Sequence, residues 1–230
     1  MTNTTPMARR STITIALAVA LLAIGPTWSA GGSRKPDKPE AAVATPEQNA
    51  AEYYNRALDQ HDRASALESR AAAADDEATR AKLVKRVRDS HENAIEELRR
   101  AVAADPNMHE AWSSLGYSYR QTGRYAEALA SYDRALALDP EYTEAIEYRA
   151  EAYLGLGRID DAKEAHAVLA ANNPARASQL LDAMRAWIDQ QRSSGGGASA
   201  SDLDALASWI AVRRSDRTYP AQGPSKARTW

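Results

Sequence analysis

Apolar and aromatic side chains recur every three or four residues over segment 111–140, AWSSLGYSYRQTGRYAEALASYDRALALDP. This spacing places them on one face of an α-helix. A Gly123-Arg124 step, typical of a helix end, divides the pattern into two stripes. The stripes consist of Trp112, Leu115 and Tyr119, followed by Ala128, Tyr132 and Ala135. The pattern predicts two short helices joined by a tight turn.

A shift of 34 residues carries the same landmarks onto the next segment, where Tyr119 becomes Tyr153 and Gly123 becomes Gly157. A period of this length with two helices per unit is the signature of a helical repeat array. Residues 109–142 resemble the tetratricopeptide repeat (TPR) family, with Tyr132 in the position of its Phe, and 143–174 is a degenerate copy. The resemblance implies an all-α array of helical hairpins, an α-solenoid.

Small residues stand where two helices of one repeat should approach closely. We expect Gly116 and Ala128 to lie at that contact, and Trp112, Tyr119 and Tyr132 to fill the space between successive repeats. Gly123 is expected to end its helix in the left-handed conformation.

The first repeat is interrupted. The second helix of an earlier unit lies at 91–106, but the matching first helix starts near residue 51, about 25 residues too early. We therefore expect an elongated first hairpin over 46–106, built from helices 46–73 and 76–104. The predicted register pairs Leu67 with Val84 and His91 with Gln60.

The C-terminal part predicts a capping helix at 175–191, a flexible linker at 192–200 and a short amphipathic helix at 201–214. A basic tail at 215–230 should be disordered. The short helix could dock on its own array, dock on a partner, or not form stably.

The N-terminus has the order of a secretory signal over residues 1–30, namely a basic start, a short apolar core and small residues. Residues 31–45 should be a disordered linker. We expect export to the periplasm or outside the cell. An uncleaved inner-membrane anchor through residues 11–25 is the less favoured alternative.

The composition limits the kinds of chemistry that this protein could perform. The chain has 230 residues, a net charge of −2 and no cysteine, which excludes thiol chemistry and gives no basis for nucleic-acid binding. Its four histidines lack metal-ligand spacing, and no nucleophile, phosphate-loop or dinucleotide motif occurs. We therefore predict no catalytic, cofactor-binding or metal-binding residues and no small-molecule substrate.

In the TPR family the first helices of successive repeats line a concave groove that binds peptides or helices. The resemblance therefore implies a partner-binding groove, whose carboxylate-clamping basic residues, known from one branch of the family, are absent here. By repeat register the groove comprises Tyr54, Leu58, His61, Ser113, Tyr117, Arg120, Gln121, Glu144, Glu147 and Glu151.

The three glutamates form one acidic stripe, which is either a solvated face or a docking site. We expect that the chain's own C-terminal segment, residues 201–217, occupies the groove reversibly. Trp209 would lie near Tyr117 in that arrangement, and the basic tail residues would meet the glutamates. The expected apolar anchors are Leu206, Trp209 and Ile210.

These features favour a non-catalytic adaptor of the cell envelope that binds an unidentified protein or peptide. Two alternatives remain open. One is an accessory subunit of an envelope enzyme or secretion complex, which genomic neighbours would indicate. The other is a self-assembling structural protein that uses the long hairpin, which light scattering would reveal.

Overall fold

The computed structural model describes residues 45–215, and this part of the chain contains eight helices and no strand. The all-α hairpin array expected from the repeat period is confirmed. The expected signal segment 1–30, the linker up to residue 44 and the tail beyond Ser215 lie outside the described residues. The helices are α1 (Pro46–Ala72), α2 (Glu77–Ala104), α3 (His109–Gln121), α4 (Tyr125–Leu138), α5 (Thr143–Gly155), α6 (Ile159–Asn172), α7 (Pro174–Ser194) and α8 (Ala200–Ser215).

Consecutive helices pair as α1–α2, α3–α4, α5–α6 and α7–α8, and α5 belongs to both of the two main apolar clusters. The first helix α5 also contacts the first helices α3 and α7 directly. The first helices therefore lie on the inside of the array. We call the surface formed by α1, α3, α5 and α7 the concave face.

The repeat landmarks act through packing, as expected. A Cβ atom at Gly116 would lie 2.7 Å from Cε1 of Tyr132, so only glycine lets α3 approach the buried tyrosine of α4 this closely. Ala128 is fully buried beside it. Gly123 has φ of 79°, which is the left-handed conformation that ends α3.

The first hairpin is elongated, with helices of 27 and 28 residues. Its register differs from the expected one at the tip. Leu67 and Ala71 pack against Leu83 and Val87, whereas Val84 is 56% exposed. The reason is helical drift, because a straight α-helix departs by about 20° per heptad from a strict seven-residue repeat. Eleven residues, or three turns, separate Leu83 from the seam residue Ala94.

The C-terminal helices form a fourth antiparallel hairpin. Arg192 Nη2 donates to Asp204 Oδ1 at 2.6 Å near the turn, and Arg214 pairs with Asp182 at the far end. Leu203, a buried residue of α8, joins the apolar cluster of α5, α6 and α7. Within residues 45–215, no helix combines the length and the apolar character needed to cross a membrane.

Candidate functional site: the concave face

The predicted groove residues do lie on the first helices, but part of the set is core. Tyr54, Leu58 and His61 of α1 are partly buried, as are Tyr117 and Gln121 of α3 and Glu144 of α5. The remaining members are closed off from solvent. These buried residues are Ser113, Arg120, Glu147 and Glu151.

Each glutamate of the acidic stripe is paired with an arginine, and two of the three are closed off from solvent. Arg176, in the first turn of α7, donates to Glu147 Oε2 at 2.6 Å and to Glu144 Oε2 at 3.0 Å. Glu151 pairs instead with Arg120 of α3, at 3.0 Å between Nη1 and Oε2. Both neighbouring first helices thus neutralise the glutamates. The stripe joins three helices together.

The Arg120–Glu151 pair is almost completely buried, with side-chain exposures of 4% and 0%. The guanidinium carbon of Arg120 lies 5.3 Å from the ring centre of Tyr117 and 5.6 Å from that of Tyr148. The aromatic faces and the carboxylate together compensate the charge that burial takes from water. Breaking such a pair by removing one partner typically costs about 3–5 kcal/mol.

Two histidines meet where the long hairpin joins the array, and one of them, His91, lies beneath the concave face. The ring of His61 lies 5.7 Å from that of His91 and 5.1 Å from that of Tyr117. His61 Nε2 and the Ser118 hydroxyl share a hydrogen bond of 2.7 Å.

His91 is 1% exposed, and neither of its ring nitrogens has a hydrogen-bond partner among residues 45–215. The expected pairing with Gln60 is not formed, and the Gln60 Oε1 atom also lacks a partner there. Burial lowers the pKa of His91 to about 3, helped by nearby His61 and Arg120, and lowers that of His61 to about 4. Both rings are neutral at pH 7.

The partly exposed surface above this floor is aromatic. Tyr117 and Tyr148 lie with ring centres 5.5 Å apart, so His61, Tyr117 and Tyr148 form a continuous strip across α1, α3 and α5. Burial raises the pKa of Tyr148 to about 12 and also raises that of Tyr54. The hydroxyls of Tyr54 and Tyr148 therefore remain protonated and can donate hydrogen bonds at neutral pH. We call His61, Tyr117 and Tyr148 the aromatic strip.

The C-terminal helix does not occupy this surface, which corrects the expected position of the tail. Trp209 stacks edge-on against His166 of α6, with ring centres 5.1 Å apart, rather than lying near Tyr117. Leu206 and Ile210 are buried in the cluster formed with α7. The physical reason is that α7 already offers an uncovered apolar side next to the linker, so α8 folds back onto it.

Sequence reasoning missed Arg176, His91 and Tyr148 as parts of this site. Arg176 had a usable signal, because it lies about one repeat after Glu144 and first helices of adjacent repeats are neighbours. No sequence signal pointed to His91, because its contact with α3 depends on the angle at which the long hairpin packs against the array. Between residues 45 and 215 no group of three or more His, Asp or Glu side chains could hold a metal ion.

Comparisons with known proteins give a family match and several similar structures. The family model described as tetratricopeptide repeat matches residues 79–143 and, in an overlapping placement, 115–163. No curated protein matches the chain.

One similar solved structure is the second TPR domain of human RPAP3 in complex with the HSP70 peptide SGPTIEEVD. It is 22% identical with a TM-score of 0.41, over 56% of this chain and 95% of that one. A crystal structure of MamA is 22% identical with a TM-score of 0.39, over 68% and 91% of the two chains. A second MamA structure is 20% identical with a TM-score of 0.37, over 76% and 98%. The match to the tetratricopeptide repeat family model identifies residues 79–163 as a stretch of tetratricopeptide repeats.

Proposed function

We propose that this protein is a non-catalytic adaptor of the cell envelope that binds a peptide or helix of a partner protein on its concave face. Helical-repeat arrays present extended surfaces of this kind, and each repeat contributes a few side chains to the bound segment. The observation that carries the proposal is the aromatic strip across α1, α3 and α5.

The strip is suited to binding because it is both accessible and rigid. Tyr117 and Tyr148 are partly exposed, and the buried Arg120–Glu151 pair supports them from below. Tyrosine is enriched at protein interfaces because its ring buries a large area while little conformational freedom is lost. A preorganised surface also lowers the entropy cost of association.

Site-specific photocrosslinking in cells that produce the full chain would test the face. A photoreactive residue at Leu58 or Gln121 would probe the concave face, and the same residue at Ala137 or Ala171 would probe the exposed sides of α4 and α6. We expect one partner band from the first pair and none from the second. A band from Ala137 or Ala171 alone, or from none of the four positions, would contradict the proposal.

Once that partner is purified, the aromatic strip can be tested directly. Tyr148→Ala should weaken its affinity on the order of 30-fold, the scale of a central aromatic contact. Tyr148→Phe keeps the ring and should retain most of the affinity. If Tyr148→Ala and Tyr148→Phe bound the partner with the same affinity, Tyr148 would not be part of the binding site.

The envelope location is part of the proposal and rests on the order of residues 1–30. Mass spectrometry of the chain from fractionated cells is the matching experiment. A mature N-terminus near residue 30 in the soluble envelope fraction is expected. An intact N-terminus in the membrane fraction would identify the segment as an anchor, and recovery from the cytoplasm would contradict export.

A further inference from the structure

The tip of the first hairpin extends past the rest of the array. Its small apolar cluster consists of Leu67, Ala71 and Leu83, with Ala74 and Val87 packed against it, so it draws only on α1 and α2. By contrast, the lower part of the hairpin contacts α3 through His61 and His91. The outer side of α2 at the tip is therefore a helix face that no other described helix covers.

That face carries an apolar strip. Val84 is exposed, although large aliphatic side chains are usually buried, and Ala81 is exposed beside it. Together with neighbouring side chains they line a shallow surface hollow of about 460 Å³ along the helix. The lining residues are Glu77, Arg80, Ala81, Val84, Lys85 and Arg88. Positions 77, 81, 84 and 88 follow the alternating four- and three-residue spacing of a coiled-coil seam.

The same face is basic. Of the six residues that line the hollow, Arg80, Lys85 and Arg88 are basic, and Glu77 is acidic. Arg80 and Lys85 form exposed pairs with Glu77 and Asp89, at 2.6 and 3.0 Å. No acidic residue of the described chain pairs with Lys82, Arg86 or Arg88. An apolar strip flanked by cations is complementary to a helix with an apolar stripe and acidic flanks.

We propose that the strip Glu77–Arg88 on the outer side of α2 is a docking surface for an acidic amphipathic helix of a partner protein. The docked helix would pack alongside α1 and α2 as the third helix of a short coiled coil. Ala81 and Val84 supply the apolar contact, and Arg88 binds a carboxylate that flanks it. Arg80 and Lys85 would exchange their exposed partners Glu77 and Asp89 for further carboxylates of the docked helix. This surface is separate from the concave face, so an adaptor with both could join two partners.

An anionic membrane fits the face less well than an acidic helix. A helix lying on a bilayer needs a wide apolar side. On α2 the residues Leu83 and Val87 are committed to α1, so only Ala81 and Val84 could enter lipid. A second copy of this chain could also occupy the face, so the test must distinguish self-association from binding of an acidic helix.

The probe is a synthetic peptide of about three heptads with Leu at positions a and d and Glu at e and g, labelled for fluorescence anisotropy. Repulsion between its own glutamates keeps it from pairing with itself at pH 7. We expect saturable binding to the full chain that weakens as NaCl is raised. The same peptide with Lys in place of Glu should not bind.

The charge reversal R80E/R88E should weaken peptide binding at least about tenfold, and Val84→Asp should do the same. The matched control R99E/R185E reverses two exposed charges outside the strip and should leave the affinity unchanged. Tyr148→Ala should also leave it unchanged, which separates this surface from the concave face. Far-ultraviolet circular dichroism would verify that each variant is folded.

Three results would overturn the proposal. The first is no peptide binding, or binding equally sensitive to R99E/R185E. The second is tighter binding of the chain to vesicles containing phosphatidylglycerol than to the peptide, lost in R80E/R88E. The third is self-association in analytical ultracentrifugation that Val84→Asp abolishes, which would assign the strip to a second copy of the chain.

Discussion

At the scale of single residues, buried polar side chains join the repeats to one another. Glu147 and Glu151 are fully buried, yet each has a guanidinium from a neighbouring first helix. His91 is buried without a hydrogen-bond partner for either ring nitrogen among the described residues. Such a ring is tolerated only while it is neutral, because charging it would add a buried cation beside Arg120.

The lowered pKa values of His61 and His91 predict a specific pH dependence of stability. The pKa values of His61 and His91 fall from 6.5 to about 4 and about 3 on folding. Between these values and 6.5 the unfolded chain binds protons that the folded chain does not, so folding loses stability as pH falls. The contribution is complete above about pH 7 and decreases by up to about 1.4 kcal/mol per pH unit for each histidine.

Urea unfolding at intervals between pH 7 and pH 5 would measure this slope. The groups facing the pair are Tyr117 and Arg120 of α3, the latter held by Glu151 of α5. His91→Gln cannot titrate and should reduce the slope by one histidine. His109→Gln, at a partly exposed position, is the control. Equal slopes for wild type and His91→Gln would contradict the assignment.

At the scale of elements, the base and the tip of the long hairpin are packed in different ways. Its base belongs to the main core through Ala57, Ala94 and Leu98, whereas its tip has only the small cluster around Leu67. The tip should therefore open locally with a lower free energy than the array.

A pair of substitutions tests the tip register. Leu67→Asp places a charge in the tip cluster and should destabilise the tip by about 1–3 kcal/mol. Val84→Asp lies on the exposed side and should stay within about 0.5 kcal/mol of wild type. Hydrogen exchange of residues 62–90 would report both effects, and equal loss of protection in the two variants would restore the register that pairs Leu67 with Val84.

Helix geometry explains which parts of this hairpin the sequence predicts and which it does not. The apolar pattern predicts both helices and their pairing at Ala57 and Ala94. Near this pair the drift of the helices away from a seven-residue repeat is still small. At the tip the same pattern is compatible with Val84 or Leu83 in the seam. Adjacent helical positions differ by only 100°, and the drift of a straight helix decides between them.

At the scale of the whole molecule, the array is closed at its C-terminal end by α8. Leu206 is fully buried, and Leu203 and Ile210 lie beside it against α7. Because α8 packs on α6 and α7 rather than on the concave face, its removal should expose core and not a binding groove.

Leu206→Ala should lower the free energy of unfolding by roughly 2–5 kcal/mol, the usual cost of truncating a buried leucine. Val212→Ala removes an exposed aliphatic side chain from the same helix and should change stability by less than about 0.5 kcal/mol. Urea denaturation of both variants would measure the difference. A similar small effect in the two would show that α8 is not part of the core.

The sequence by itself determined the all-α class, the repeat period, the elongated first hairpin and the small residues at Gly116 and Ala128. All of these depend on local spacing and on the volume available between two paired helices. Only the tertiary structure decided which glutamates are buried against Arg120 and Arg176, where Trp209 docks, and which side of α2 no other described helix covers. Those outcomes depend on contacts between repeats. The same pattern of apolar and polar residues is compatible with several sets of contacts between repeats. Which set forms is decided only when all the helices pack together and compete for the same apolar surface.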